Sequence, residues 1–289
     1  MNELCYVRPG TTAEALEALA RYGAGARILN GGTDLIVRFQ KGHVMPDAIV
    51  DIKGVRDIGD SIDWSNENVT VGARVVMSRI VRDERMLREY PALVEAAATV
   101  GSVQIRNRAT LAGNICNASP AADTVPPLSV YGASVRLVGP AGTRVVPLET
   151  FFLGPGKTVR SPQEILTAVV IPRNTMPFGA AFDRVTRRHG VDLASINVAI
   201  GVDRDATVTA TFGAVGPTPI TVRDSSGRLA DPDFSDEERD RMLTALIAET
   251  KPISDVRATA EYRSAMLLVL ARRVLTRAMQ RYSRSVGEE

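Results

Sequence analysis

A two-domain α+β protein is the fold class this sequence predicts, and three observations predict it. Short strand-like and helix-like runs alternate near the amino terminus. Paired strand runs around Gly or Asp turns fill the middle and the second half, and two helical stretches close the chain. At 289 residues, 45% hydrophobic and 24% charged, the chain exceeds what one core usually organises, so two domains are expected rather than one.

Taken in order, Thr11 and Glu14 have capping-box spacing, and Leu16, Leu19 and Ala20 give an amphipathic helix ending near Gly23. Ala26 to Leu29 reads as a strand that runs into the tight turn Asn30-Gly31-Gly32-Thr33-Asp34. A helix over LIVRFQ, beginning at Thr33, and a strand around Ala48 to Ile52 follow. VTVGARV reads as a strand, and SRIVRDERMLREYPALVEAAATV as helix broken before Pro91. From Gly101 to Asp123 the chain has neither helical nor strand period and is rich in Gly, Asn, Ser and Ala, so it reads as a long structured loop. ASVRLVGPAGTRVVPL is a hairpin turning at Gly139 to Gly142, and EILTAVVIP is a further strand. The polar, proline-flanked stretch Pro172 to Pro177 marks the division, giving domains at 1–173 and 178–285. SINVAIGVDRDATVTATFGAV is a second hairpin turning at Asp203 to Asp205, and helices are expected over Asp236 to Glu249 and Ala260 to Gln280.

Composition excludes several function classes. The 35 basic and 33 acidic residues nearly cancel to +2 and are spread along the chain, and aromatics are 5%, which argues against a nucleic-acid surface or a base-stacking platform. Two cysteines, Cys5 and Cys116, and two histidines, His43 and His189, cannot supply an iron-sulfur cluster and make an unusual zinc set. Metal chemistry is therefore assigned to other chains. With so few thiols, with Glu3, Arg8, Glu14 and Glu17 interrupting the amino terminus, and with no uncharged run of membrane-spanning length, a cytoplasmic location is expected. His43 and His189 both read as loop or surface residues, and no Ser, His and Asp set or carboxylate pair stands out, so catalytic residues are expected to be none.

Two segments carry chemistry. In NGGTD, glycines let the backbone approach a ligand, and successive amides can form an anion-binding nest facing a helix start, which suits a pyrophosphate. The same five residues also serve as an ordinary strand-to-helix turn. In the second segment, Thr110, Gly113, Asn114, Asn117, Ser119 and Asp123 place short donors and acceptors beside glycine-opened backbone, the lining a large polar cofactor needs. Such side chains also satisfy their own backbone in plain connections.

Four blocks in order, Ile28 to Leu35, GSVQIRNRATLAGNICNASPAAD, FFLGPGK at Phe151 to Lys157 and FGAVGPTPI at Phe212 to Ile220, resemble the FAD-binding subunits of molybdenum hydroxylases, the xanthine, carbon monoxide, nicotinate and aldehyde dehydrogenases. The resemblance spans nearly the whole chain. It implies an amino-terminal FAD domain of two subdomains, of the vanillyl-alcohol-oxidase (PCMH) type, and a small carboxy-terminal sheet-plus-helices domain like that of CO dehydrogenase flavoproteins. It also implies the site. Ile28, Leu29, Asn30, Gly31, Gly32, Thr33, Asp34 and Leu35 would wrap the pyrophosphate; Thr110, Leu111, Ala112, Gly113 and Asn114 would line the same cofactor, with Val100 beside it. Asp123 would hold a ribityl or ribose hydroxyl, and Leu166 would pack on the cofactor. Arg184, placed by counting back from Asp192, stands where relatives often carry a lysine near the flavin; both are cations, but one is a planar fork and the other a point charge. Asn30 stands where the family commonly has alanine.

The resemblance further implies noncovalent FAD, since neither histidine lies in the loops that tether flavin in related oxidases. Molybdopterin would sit on a large partner subunit and 2Fe-2S clusters on a small one, in a dimer of heterotrimers. This chain would relay electrons from those clusters to NAD or another acceptor. The hydroxybenzoyl-CoA branch, which carries an extra cluster on this subunit, lacks support because its cysteines are missing. GPGK with GPTPI looks most like the xanthine dehydrogenase branch, while purines, aldehydes, N-heterocycles and carbon monoxide all stay open as substrates. Two other readings stay open: a stand-alone flavin reductase or oxidase on the same fold, similar to UDP-N-acetylenolpyruvoylglucosamine reductase, and a flavin-free scaffolding subunit.

Overall fold

The first strands and helices alternate as expected: β1 (Cys5–Val7), α1 (Thr12–Tyr22), β2 (Ala26–Leu29), α2 (Leu35–Gln40) and β3 (Ala48–Asp51). The structure, a computed structural model, describes residues 4–173, 178–188 and 190–287. Part of the expected Pro172 to Pro177 division, and His189, lie outside the described residues. Thr11 Oγ1 accepts from the Glu14 amide at 3.3 Å and starts α1, whose Ala15, Ala18 and Leu19 are buried. The strands make a parallel sheet in the order β1-β3-β2.

The next stretch is β4 (Ile62–Trp64), β5 (Asn68–Gly72), α3 (Met77–Arg82), α4 (Glu84–Glu89), α5 (Pro91–Thr99), α6 (Val103–Arg106), α7 (Leu111–Cys116), α8 (Val125–Val130), β6 (Ser134–Gly139), β7 (Gly142–Pro147), β8 (Phe152–Gly154), β9 (Lys157–Thr158) and β10 (Ile165–Pro172). An antiparallel sheet in the order β4-β5-β10-β6-β7 forms its centre. The helical run breaks before Pro91, as expected, and also at Asp83, whose carboxylate accepts from the Met86 amide at 2.9 Å and caps a new helix.

The region Gly101 to Asp123 corrects the sequence reading. It holds α6 and α7, capped by Ser102 Oγ and Thr110 Oγ1, rather than being irregular throughout. Helices of 4 and 6 residues are too short to display a 3.6-residue period.

The remainder is β11 (Gly179–Val185), β12 (Ile196–Val202), β13 (Val208–Gly213), β14 (Ile220–Asp224), α9 (Asp236–Ile247) and α10 (Ala260–Val286), with the strands antiparallel in sequence order. Buried apolar side chains form two clusters, one of the first two sheets and their helices together with Ala180, Phe182 and Ala199 of the last sheet, the other between this last sheet and α9 and α10. Glu95 of α5 ties the two. Its carboxylate accepts from the Phe182 amide at 2.9 Å and from the guanidinium groups of Arg277 and Arg281 on α10. Arg277 and Arg281 also donate to the Phe182 and Ala180 carbonyls of β11, at 3.2 and 2.6 Å. Among the described residues no helix is long and apolar enough to cross a membrane.

Glu164, just before β10, fixes where that strand enters. Its carboxylate takes two bonds from Arg144, at 2.6 and 2.8 Å, and one from the Ser161 amide at 2.7 Å. The bond from Arg144 holds the Glu164 carboxyl below the usual range, so its stabilisation is present above the unfolded value and lost as pH falls through the folded one. Glu164→Gln is therefore expected to be less stable than wild type at pH 7 and to lose stability less steeply below about pH 4.3, read by urea unfolding across pH.

Candidate functional site

The turn Asn30 to Asp34 leaves the carboxyl end of β2, the edge of a parallel sheet where ligands of open α/β folds gather. Gly32 sits at φ 79°, in the left-handed region that favours glycine. Asn30 Nδ2 donates to the Ala73 carbonyl at 2.7 Å, fastening the turn to the end of β5. The helix that follows starts at Leu35 rather than Thr33, so Thr33 and Asp34 belong to the turn. Asp34 makes no side-chain cap; its carboxylate instead accepts from Asn117 Nδ2 at 2.9 Å. Among the described residues no protein acceptor takes the amides of Gly31, Gly32, Thr33 or Asp34.

The second segment lies directly against this turn. A Cβ at residue 31 would fall 2.2 Å from the Arg108 carbonyl oxygen, so the two backbones touch where glycine permits. Arg108 and Ala109 are anchored in turn. The Met77 amide donates to the Ala109 carbonyl at 2.8 Å, Thr110 bridges Val76, and the Leu111 amide reaches the Val75 carbonyl at 3.3 Å. Thr110, 3% exposed, caps α7 by accepting from the Gly113 amide at 3.1 Å. Leu111 and Ala112 are buried, and α7 packs on β10, which carries the buried Leu166. Asn114 Oδ1 accepts from Thr124 Oγ1 at 2.7 Å, which brings the segment next to Asp123.

Asp123 is buried and held by protein on both oxygens. Arg184 Nη1 and Thr99 Oγ1 donate to Oδ2 at 2.6 and 3.3 Å, and Asn197 Nδ2 donates to Oδ1 at 2.9 Å. Burial pushes its carboxyl above the usual range, opposed by the Arg184 charge and these hydrogen bonds. Arg184 is not the solvated surface cation that its RVTRRHG context also allowed; its side chain is 11% exposed. Val100, partly buried, follows Thr99, and its carbonyl accepts from Arg106 at 3.2 Å. The expected residues thus converge: the turn on Arg108, Asn114 on Thr124, Asp123 on Arg184, and Leu166 under α7. His43 lies in an exposed loop away from these contacts.

Sequence reasoning missed Asn197, the only polar side chain of β12, and the role of Arg108. A lone amide in the apolar run INVAIGV was the available signal for the first. Among the described residues no group of three or more His, Cys, Asp or Glu can hold a metal.

Comparison with known proteins gives one family over most of the chain. Residues 2–174 match the model described as FAD binding domain in molybdopterin dehydrogenase, and residues 180–278 that described as CO dehydrogenase flavoprotein C-terminal domain. The carbon monoxide dehydrogenase medium chain of Afipia carboxidovorans is 31% identical over 281 residues, covering 96% of each chain. The xanthine dehydrogenase FAD-binding subunit of Escherichia coli O157:H7 is 28% identical over 279 residues, 95% of each. Among solved structures, a chain of a Cu,Mo-CO dehydrogenase superposes with a TM-score of 0.89 at 28% identity, over 97% of this chain and 99% of that one. A chain of quinoline 2-oxidoreductase from Pseudomonas putida 86 gives 0.85 at 26%, over 96% and 97%.

Proposed function

This chain belongs to the family of FAD-binding subunits of molybdenum hydroxylases of the xanthine and carbon monoxide dehydrogenase type, and from that premise we propose that it is the electron-transfer flavoprotein of a multi-subunit dehydrogenase. It takes electrons from 2Fe-2S clusters on a small partner, while a large partner holding molybdopterin oxidises the organic substrate, and it hands them to NAD or another acceptor. The assembly proposed is a dimer of heterotrimers in the cytoplasm. We place the division of the chain at 1–173 and 178–285, a reading that the two matched stretches support.

The observation that carries the proposal is the seating of Gly31 against the Arg108 carbonyl, which makes one cradle of two loops while leaving the amides of residues 31–34 without an acceptor among the described residues. Such a cradle fits the paired phosphates of FAD. Residues Ile28 to Leu35 hold those phosphates through main-chain N–H groups. Thr110 to Asn114 line the same noncovalent cofactor, with Val100 and Leu166 as apolar flanks. Asp123 offers its remaining lone pairs to a cofactor hydroxyl, and Arg184 sets the local charge. Bound FAD supplies exchange of one or two electrons; the protein supplies binding, orientation and electrostatics.

Purified full-length chain is expected to carry, or to take up on reconstitution, equimolar flavin visible in its absorbance. A colourless protein that takes up none defeats the proposal. Steady turnover of a small alcohol by the isolated chain defeats the relay role while leaving flavin binding intact.

A further inference from the structure

The FGAVG stretch donates nothing to the cradle above, yet it is bonded to its back. The register of the last sheet sets Arg184 opposite Asn197 and Asn197 opposite Gly213, so the three form one row across β11, β12 and β13, on one face. That row faces Asp123. Arg184 grips one carboxylate oxygen at 2.6 Å and Asn197 the other at 2.9 Å. Asn197 is 0% exposed, and among the described residues its own Oδ1 has no donor. That oxygen rests 2.0 Å from where a Cβ on Gly213 would stand, so only glycine at 213 leaves the amide its seat. One residue on, the Ala214 amide donates to the Pro120 carbonyl at 2.7 Å, and Arg263, 1% exposed, donates to the Ala214 carbonyl at 2.6 Å. The end of β13 is therefore stitched to the Asn117 to Asp123 segment beside the row as well as through it.

An orphaned amide oxygen in a dry strand costs free energy that valine or isoleucine, the residues around it, would avoid. Keeping asparagine here needs a use, and its one side-chain hydrogen bond among the described residues is the one Nδ2 donates to Asp123. We infer that Asn197 is a positioning residue for the flavin site and Gly213 its seat. Held only at Oδ2, by Arg184 and Thr99, the carboxylate can swing its other oxygen about the Cβ–Cγ bond; held by Asn197 at Oδ1 as well, it presents its free lone pairs in one direction. Asn197 thereby fixes the segment from Thr110 to Asp123 in the shape that receives the cofactor, and the last sheet becomes part of the site. This rests on the flavin-binding reading above.

The test uses the full-length chain and FAD itself as probe, with affinity from flavin fluorescence and binding mode from visible circular dichroism. Asn197→Ala is expected to weaken FAD binding about tenfold and to change the dichroism, with the unfolding transition of the flavin-free protein lowered, though by less than in Asp123→Ala. Gly213→Ala should act in the same direction, because its methyl displaces the amide. In the Asn197→Ala background it should add little, because the atom it strikes is gone. Wild type that binds FAD beside an Asn197→Ala variant that binds it equally well overturns the inference, and so do two penalties that simply add. If neither variant folds, hydrogen exchange on wild type decides: FAD should slow amides around Arg184 and Asn197 as well as those around Gly31, and protection confined to the two loops overturns it. A wild type that takes no flavin defeats the parent reading, and this inference falls with it.

Discussion

Gly31→Ala is expected to purify without flavin, with FAD affinity reduced roughly a hundredfold or more, while the rest of the molecule still folds at a cost of about 1–3 kcal/mol. The new Cβ would stand 2.2 Å from the Arg108 oxygen, 3.0 Å from its carbonyl carbon and 3.1 Å from Ala109 Cα. All three are backbone atoms, and Arg108 and Ala109 are pinned through Val76, Met77 and Val75, so no side chain can swing aside. The loops must part by about 1 Å, which misaligns the amides of residues 31–34 proposed to hold the phosphates. Gly32 makes the instructive contrast: its Cβ would press mainly on the tip of the Leu29 side chain, which can yield, but its φ of 79° strains any replacement. The flavin-to-protein ratio of the purified variant checks the prediction. A Gly31→Ala protein that retains flavin at wild-type affinity would show that the phosphates lie elsewhere.

Asp123→Ala should be the most destabilising single change at the site, by roughly 3–5 kcal/mol, because it strands the buried Arg184 cation and the Asn197 amide together. The side chains of Arg184 and Asp123 are 11% and 8% exposed, so water cannot replace the lost partner as it would on a surface. Replacing both by apolar groups, as in Asp123→Leu with Arg184→Met, is expected to recover most of the stability and none of the flavin binding. Urea unfolding of the three proteins reads the first quantity and flavin titration the second. Equal stability of Asp123→Ala and wild type would remove the buried pair from the account.

Much of this molecule was legible in its residues, and the parts that were not share a cause. Strands with a clear apolar period and glycine or aspartate turns, such as those around Gly142 and Asp203, stand where expected. So does the capping of α1 by Thr11. The long helical run was legible too, except for its extra break at Asp83, where a side chain competes with the helix for its own cap. The stretch after Gly101 failed as a secondary-structure reading because α6 and α7 are shorter than the window in which periodicity can be measured. Its polar and small residues stayed legible all the same, because they are chemical facts independent of period. Thr33 and Asp34 lie outside α2, and Asp34 accepts from Asn117, 83 residues away, a contact that no local pattern encodes. The same holds for Asn197: its meaning depends on Asp123, 74 residues earlier, and on the absence of a side chain at Gly213.

The clamp at Glu95 bears on how such a protein comes into being. Ribosomes deliver the chain from its amino end, so both loops around Gly31 and Gly113 emerge long before Arg277 and Arg281, the residues that fasten β11 onto α5. Until α10 has left the exit tunnel, nothing on that helix can hold Arg184 over Asp123. Flavin capture is thus expected to wait for α10, and chains cut short before Arg277 are expected to hold less flavin per protein than chains that include that helix.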